Sequence, residues 1–188
     1  MVTNSKIPMK KQYTVSILRP AGNETALIKG IPDSRERIRL NTELMKLYPS
    51  LEQVGFYEKT GASTARLEMA GGEFCGNALR SLAFLLLDKN KGAMKIKSSG
   101  VDKPLISGVQ KVNSAYAQMP IIQSFESVNK ISKDLTSVTL SGITHLITTD
   151  DSRLNEDVLK IRGKQILSSQ GLLTSCPAAG VMFLSKIN

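Results

Sequence analysis

The sequence has no tryptophan, only one histidine and two cysteines, and aromatic residues make up just 5% of it. Without tryptophan, its core must be filled mainly by Leu, Ile, Val, Ala and Met side chains. The two cysteines, Cys75 and Cys176, stand far apart, whereas a small secreted chain held by disulfides has a denser set. With 188 residues, 41% of them hydrophobic, the chain is long enough for a stable core without such cross-links.

A long apolar segment is also missing. The longest apolar run, residues 82–87, is far shorter than the roughly 20 residues that a membrane span requires. Residues 1–11 carry charge, but no apolar stretch of signal-peptide length follows them. We therefore predict a cytoplasmic protein without a membrane partner.

Positive charge is in excess, with 25 Lys and Arg against 16 Asp and Glu, a net charge of +9. These basic residues are dispersed along the chain, and no long basic run, zinc-ligand spacing or aromatic RNA-binding motif accompanies them. A dispersed positive surface attracts anions weakly and without specificity. We predict a solvated basic surface and no specific nucleic-acid partner, with a basic nucleic-acid binder as the alternative.

Alternation and helical spacing of apolar residues predict ten strands and three helices. The strands do not alternate strictly with the helices, which favours an α+β class with a mixed or antiparallel sheet over a doubly wound one. Pro120 marks a boundary between a first domain, residues 1–119, and a second, residues 120–188. The predicted strands are 12–18, 25–29, 53–58, 65–69, 93–98, 104–110, 115–119, 137–140, 143–148 and 181–184. The predicted helices begin at residue 33 or 34, at 78 and at 155, with a break in the last at Gly163.

One segment carries chemistry: Cys75 follows a glycine-rich turn and precedes the clearest helix of the sequence. A helix N-terminus has unpaired N–H groups and a partial positive charge, which favours a thiolate and lowers the pKa of a cysteine. The N–H groups of Gly76, Asn77 and Ala78 can also receive a carboxylate. Such an arrangement suits removal of the α-proton of an amino acid, with the helix N-terminus stabilising the developing charge.

Placement alone leaves this interpretation open, because a cysteine at a helix start is more often a small buried apolar residue. Cys176 is interpreted as a loop or edge cysteine, since Pro177 after it removes an N–H group. His145 has no evident partner in the sequence, and a structural role is predicted for it.

Residues 69–78, MAGGEFCGNA, resemble the first cysteine motif of the diaminopimelate epimerase-like superfamily. The Glu-Phe pair before Cys-Gly-Asn-Ala is most similar to the histidine racemase branch of opine metallophore biosynthesis. Diaminopimelate epimerases carry a second glycine where this chain has Ala78. Weaker similarities follow in order along the chain, at residues 20–25, 51–56, 97–100, 116–120, 142–145 and 179–183.

The resemblance implies a mixed β-sheet wrapped round a central helix, with one complete pseudo-repeat and part of a second. It implies a cofactor-independent racemase or epimerase of a small amino acid, in which two cysteines act as acid and base on opposite faces of the α-carbon. Neither a metal nor a cofactor is expected. Cys75 would be the first catalytic cysteine, and the implied substrate-binding residues are Asn23, Gln53, Gly76, Asn77 and Ala78.

In the family that the chain resembles, the second catalytic cysteine lies well beyond the strand similar to residues 181–183. We therefore expect this chain to carry only the first cysteine, to be incomplete and inactive alone, and to require a missing C-terminal segment or a homo-oligomer. A non-catalytic ligand-binding half-domain or truncated remnant is the alternative. An isomerase of the phenazine-biosynthesis-like branch is a further one, against which the presence of Cys75 argues.

Overall fold

The structure, a computed structural model, describes residues 3–7, 13–88, 90–121, 127–140, 143–149, 155–175 and 178–184. The chain divides into two compact units, Met1–Pro120 and Ile121–Asn188. Cys176, interpreted above as a loop or edge cysteine, lies outside the described residues, as does Pro177.

An eight-stranded mixed sheet forms the first unit, and its strands follow one another in chain order across the sheet. Strands three and four are parallel, as are five and six, and the other neighbouring pairs are antiparallel. The strands are β1 (Thr3–Ile7), β2 (Tyr13–Leu18), β3 (Glu24–Lys29), β4 (Leu51–Gly61), β5 (Thr64–Met69), β6 (Gly92–Ser98), β7 (Leu105–Lys111) and β8 (Ser114–Ala117).

Each parallel pair of this sheet is connected through a helix. Helix α1 (Ser34–Leu47) connects β3 to β4, and helix α2 (Gly76–Leu86) connects β5 to β6. Asp33 begins α1, because its side-chain oxygen accepts a hydrogen bond from the Glu36 N–H at 2.9 Å. The helix ends before Pro49, as predicted.

The two helices pack against opposite faces of the sheet. On β3, Ile28 belongs to the apolar cluster that contains Leu40 and Leu44 of α1, whereas its neighbour Leu27 belongs to the cluster that contains Leu79 of α2. Successive strand residues point to opposite faces, so the central strands are covered on both sides. This explains why residues 25–28 are all buried.

Helix α2 is the central element of this unit. It contacts β3, β4, β6, β7 and β8, so that the sheet wraps round it. Its side chains are buried on more than one side, including Ser81 beside Leu82 and Ala83. The predicted α+β class and the mixed sheet round a central helix are confirmed.

A four-stranded sheet and two helices form the second unit. The strands are β9 (Val128–Ser132), β10 (Leu135–Leu140), β11 (Ile143–Thr149) and β12 (Ala179–Leu184), in the spatial order β12, β11, β10, β9. In this sheet β11 and β12 pair in parallel, and the other two described pairs are antiparallel. Between them lie α3 (Glu156–Ser169) and α4 (Leu172–Ser175). None of the described helices is both long and apolar enough to cross a membrane.

The predicted break at Gly163 is wrong, because α3 continues through that residue. A glycine inside a helix costs about 1 kcal/mol relative to alanine. Two contributions offset this cost. The Asn155 side chain caps the helix start by accepting from the Val158 N–H at 2.9 Å, and the helix packs on β12, where Val181 and Phe183 face Gly163.

Three short elements were not predicted: β1, β9 and α4. The sequences of β1 (TNSKI) and β9 (VNKIS) contain few apolar residues, and β9 is exposed along its whole length. These two segments are strands because they pair with β2 and β10. The periodicity of the sequence cannot predict such pairing.

Candidate functional site

Cys75 is the N-cap residue of α2, with extended backbone angles (φ −137°, ψ 109°). Its Sγ accepts a hydrogen bond from the Ala78 N–H at 3.3 Å. This is the position at which Ser, Thr, Asp or Asn usually satisfies a free N–H group. The sequence therefore placed the thiol correctly at the start of the helix.

The expected lowering of the Cys75 pKa is wrong. Burial raises the pKa of the thiol, and the negative charge of Glu73 adds to the increase. The N–H groups of Ala78 and Asn77 and the charge of Arg80 oppose it without reversing it. Burial prevails because Cys75 packs against the apolar cluster around α2, where an ionised sulfur loses its hydration. Without a ligand, the neutral thiol is therefore the stable form at neutral pH.

Gln53 lies at the end of β4 that meets this thiol. The Cys75 Sγ–H donates to the Gln53 Oε1 at 2.8 Å. A second donor, the Thr25 hydroxyl, reaches the same oxygen at 3.4 Å. Thr25 is fully buried and stands opposite Gln53 in the parallel pairing of β3 and β4. Sequence reasoning missed Thr25, which only the register of the two strands places beside Gln53.

Asn77 is oriented by Arg80, one helical turn further along α2. The Nη2 of Arg80 donates to the Asn77 Oδ1 at 2.6 Å. A guanidinium only donates hydrogen bonds, so the amide oxygen must face it and the amide NH₂ group lies on the other side. The Nε of Arg80 is buried and has no hydrogen-bond partner among the described residues. Sequence reasoning missed Arg80, although the i, i+3 spacing from Asn77 was a usable signal.

The remaining candidate residues differ in what they offer a ligand. Ala78 is buried, and its N–H group already serves the Cys75 sulfur. Gly76 lies close to Met119, since a Cβ at Gly76 would stand 3.2 Å from the Met119 Sδ. Asn23 closes the 3₁₀ turn Pro20–Gly22, which contacts α2. The expected binding residues thus all lie in the first unit, on α2 or on the elements beside it.

His145 stands in the second unit, on β11, opposite Val138 of β10 and Gly180 of β12. Burial lowers its pKa, so that the neutral imidazole is favoured. In the parts of the chain that the structure describes, no three His, Cys, Asp or Glu side chains come together as metal ligands.

The first unit is thus a mixed sheet wrapped round a helix that begins at a cysteine, the arrangement that the resemblance implies. The family described as histidine racemase CntK N-terminal domain matches residues 15–188, and the chain belongs to this family. The resemblance to the histidine racemase branch is confirmed.

Three proteins named histidine racemase are similar to the chain. That of Fusobacterium nucleatum strain ATCC 25586 is 37% identical over 147 residues, covering 69% of this chain and 52% of the relative. That of strain ATCC 23726 is 32% identical over 191 residues, covering 91% and 67%. That of Staphylococcus aureus strain Mu50 is 32% identical over 111 residues, covering 54% and 40%. The chain therefore spans between about two fifths and two thirds of the length of these relatives.

Among solved structures, the chain is similar to a phenazine biosynthesis protein of the PhzF family from Enterococcus faecalis. The two are 17% identical, with a TM-score of 0.45 over 74% of this chain and 58% of that protein.

Proposed function

We propose that the chain is the N-terminal part of a cofactor-independent amino-acid racemase, in which Cys75 is one of two acid/base thiols. The observation that carries this proposal is that the Cys75 sulfur has two hydrogen-bond partners of opposite kind. The Gln53 Oε1 accepts a hydrogen bond from the neutral thiol, and the Ala78 N–H donates one to the sulfur. A racemase needs both protonation states of the same group, and this sulfur has a partner suited to each.

The proposed reaction is a proton transfer at the α-carbon. In one direction the Cys75 thiolate takes the α-proton and becomes a thiol, while the electron pair of the C–H bond spreads into the substrate carboxylate. A second thiol delivers a proton to the opposite face, and in the other direction the two groups exchange roles. By the family resemblance, the second thiol belongs to the part of the relatives that lies beyond this chain.

We propose that the substrate carboxylate binds where hydrogen-bond donors converge at the start of α2. The Asn77 amide faces Arg80 with its oxygen, which leaves its NH₂ group for an anion. The N–H of Gly76 and the partial positive charge of the helix N-terminus add to this donor set. Gln53 and Asn23 would hold other parts of the substrate, as the family resemblance implies.

Histidine is the proposed substrate, because the three similar proteins are named histidine racemase. No cofactor, specific nucleic acid or membrane partner is part of the proposal. The proposed active assembly contains a C-terminal part like that of the relatives, or a second copy of the chain. We place it in the cytoplasm, where reducing conditions keep such a thiol free.

The test is exchange of the α-proton of histidine in deuterium oxide, followed by NMR. We expect no exchange with the 188-residue chain alone. Exchange should appear when the chain is fused to the C-terminal part of the Fusobacterium relative, and should vanish in Cys75→Ser of that fusion. Cys176→Ser is the matched control and should keep exchange. Exchange that persists in Cys75→Ser would refute the proposed role of Cys75.

A ligand-binding half-domain without chemistry is the second candidate, and the raised pKa of Cys75 favours it. The two are separated by the proton-exchange experiment with the fusion and not by alkylation of Cys75 in the presence of histidine. Both candidates predict protection of the thiol by histidine, but only the racemase predicts exchange in the fusion.

A further inference from the structure

The segment that precedes Cys75 is held in place by hydrogen bonds to a residue outside that segment. We define the Cys75 loop as residues 70–75, between β5 and α2. Ser99, directly after β6, makes hydrogen bonds to the backbone on both sides of the two glycines of this loop. The Ser99 Oγ accepts a hydrogen bond from the Met69 N–H at 2.9 Å and donates one to the Glu73 carbonyl oxygen at 2.7 Å.

The backbone around Ser99 holds this hydroxyl in place. The Ser99 N–H donates to the Leu67 carbonyl oxygen at 2.9 Å, which continues the parallel pairing of β5 and β6 by one residue. Gly100 follows with a positive φ of 70° and lies against the backbone of Glu73 and Phe74. The hydroxyl is therefore fixed on the side of β6 and can in turn fix the loop.

We propose that Ser99 is a positioning residue for Cys75, whose hydroxyl bridges Met69 and Glu73 and so sets where the loop delivers the thiol. A single hydroxyl both accepts and donates, so one atom can satisfy an N–H and a C=O group at once. Alanine can do neither. The importance of this position for the reaction rests on the proposed function, but its effect on the thiol does not.

The neighbouring serine provides a matched control. Ser98 is buried, whereas Ser99 is partly buried, and the Ser98 Oγ has no hydrogen-bond partner among the described residues. Ser107 provides a second control, because its hydroxyl donates to the Tyr116 carbonyl oxygen at 2.6 Å and lies 3.3 Å from the Leu79 carbonyl oxygen of α2. Loss of these bonds reduces stability without removing any hydrogen bond to the Cys75 loop.

The experiment measures the rate of Cys75 alkylation by iodoacetamide against pH, in a Cys176→Ser background so that one thiol remains. Ser99→Ala should release the loop and expose the sulfur, which lowers its pKa towards the ordinary value. A decrease of half a pKa unit raises the thiolate fraction, and with it the rate at neutral pH, by about threefold. Ser98→Ala and Ser107→Ala should leave the profile unchanged, and Ser99→Thr should keep it near that of the parent chain.

An unchanged profile in Ser99→Ala would overturn the proposal. So would an equal change in Ser107→Ala, because the effect would then come from general destabilisation. If Ser99→Ala does not fold, hydrogen exchange of the Met69 amide in the parent chain decides. Strong protection supports the bridge, and exchange at the rate of a free amide contradicts it. If the profile shifts as expected while the fusion shows no proton exchange, the positioning role stands and the racemase proposal fails.

Discussion

Gly100→Ala should destabilise the first unit more than any other glycine-to-alanine change near the Cys75 loop. Two costs add at this position. A non-glycine residue at φ 70° is strained by about 1–3 kcal/mol. A Cβ at Gly100 would also stand 2.7 Å from the Glu73 carbonyl carbon, with the Phe74 amide nitrogen closer still. Both are backbone atoms, so the chain itself must move, at a cost of about 1–3 kcal/mol.

Alanine recovers about 0.4–1 kcal/mol by restricting the unfolded chain. The expected net loss for Gly100→Ala is therefore about 1–5 kcal/mol, centred near 3 kcal/mol. Gly72→Ala is the matched control, because Gly72 also has a positive φ, 81°, but its Cβ would meet nothing within 4 Å. Only the strain remains there, and we expect a net loss of about 1 kcal/mol.

The assay is urea unfolding followed by tyrosine fluorescence. All four tyrosines, Tyr13, Tyr48, Tyr57 and Tyr116, lie in the first unit, so the signal reports that unit. With a slope of about 1–3 kcal/mol per molar urea, the midpoint of Gly100→Ala should fall by roughly 1 M or more. Equal losses of unfolding free energy in Gly100→Ala and Gly72→Ala would refute the reasoning. The close approach of Gly100 to the backbone of Glu73 and Phe74 would then add no cost to the substitution.

Three further predictions concern the thiol and the polar side chains beside it. The pKa of Cys75 is raised in the folded chain, so the stability linked to its bound proton is fully present below the ordinary thiol pKa and is lost as pH rises through the raised value. Urea midpoints should therefore fall more steeply above about pH 8.5, the ordinary thiol pKa, in the parent chain than in Cys75→Ser, and parallel curves would contradict this. Arg80→Met should move the midpoint of Cys75 alkylation to higher pH, because the Arg80 charge lowers the thiol pKa, whereas Arg80→Lys keeps the charge and should not. Arg80→Met also removes the donor to Asn77, so histidine should protect Cys75 about fivefold less well in that variant, and undiminished protection would separate Asn77 from the binding site.

The sequence predicts the elements of the first unit well because most of them bury a regular pattern. Leu40 and Leu44 mark α1 by their spacing, and Asp33 marks its start. In the second unit the signal is weaker, since β9 is exposed throughout and Gly163 suggests a break that tertiary packing prevents. Local propensity decides such segments only when no neighbouring element overrides it.

The residues of the candidate site differ in the same way. Some belong to a local feature of the sequence, and others are brought together only by the fold. Cys75, Gly76 and Asn77 could be found from the sequence, because a helix start is a local feature. Thr25 and Ser99 could not, because they reach the site only through strand pairing.

The pKa of Cys75 shows why local reasoning also gave the wrong sign. A helix N-terminus favours a thiolate wherever it lies, but its contribution is limited to a few N–H groups within one turn. The cost of ionising the sulfur depends instead on everything packed around it, and α2 is surrounded by the sheet. The central position of the helix, which makes the site possible, is therefore also what keeps the thiol protonated until a ligand or a change of environment offsets the lost hydration.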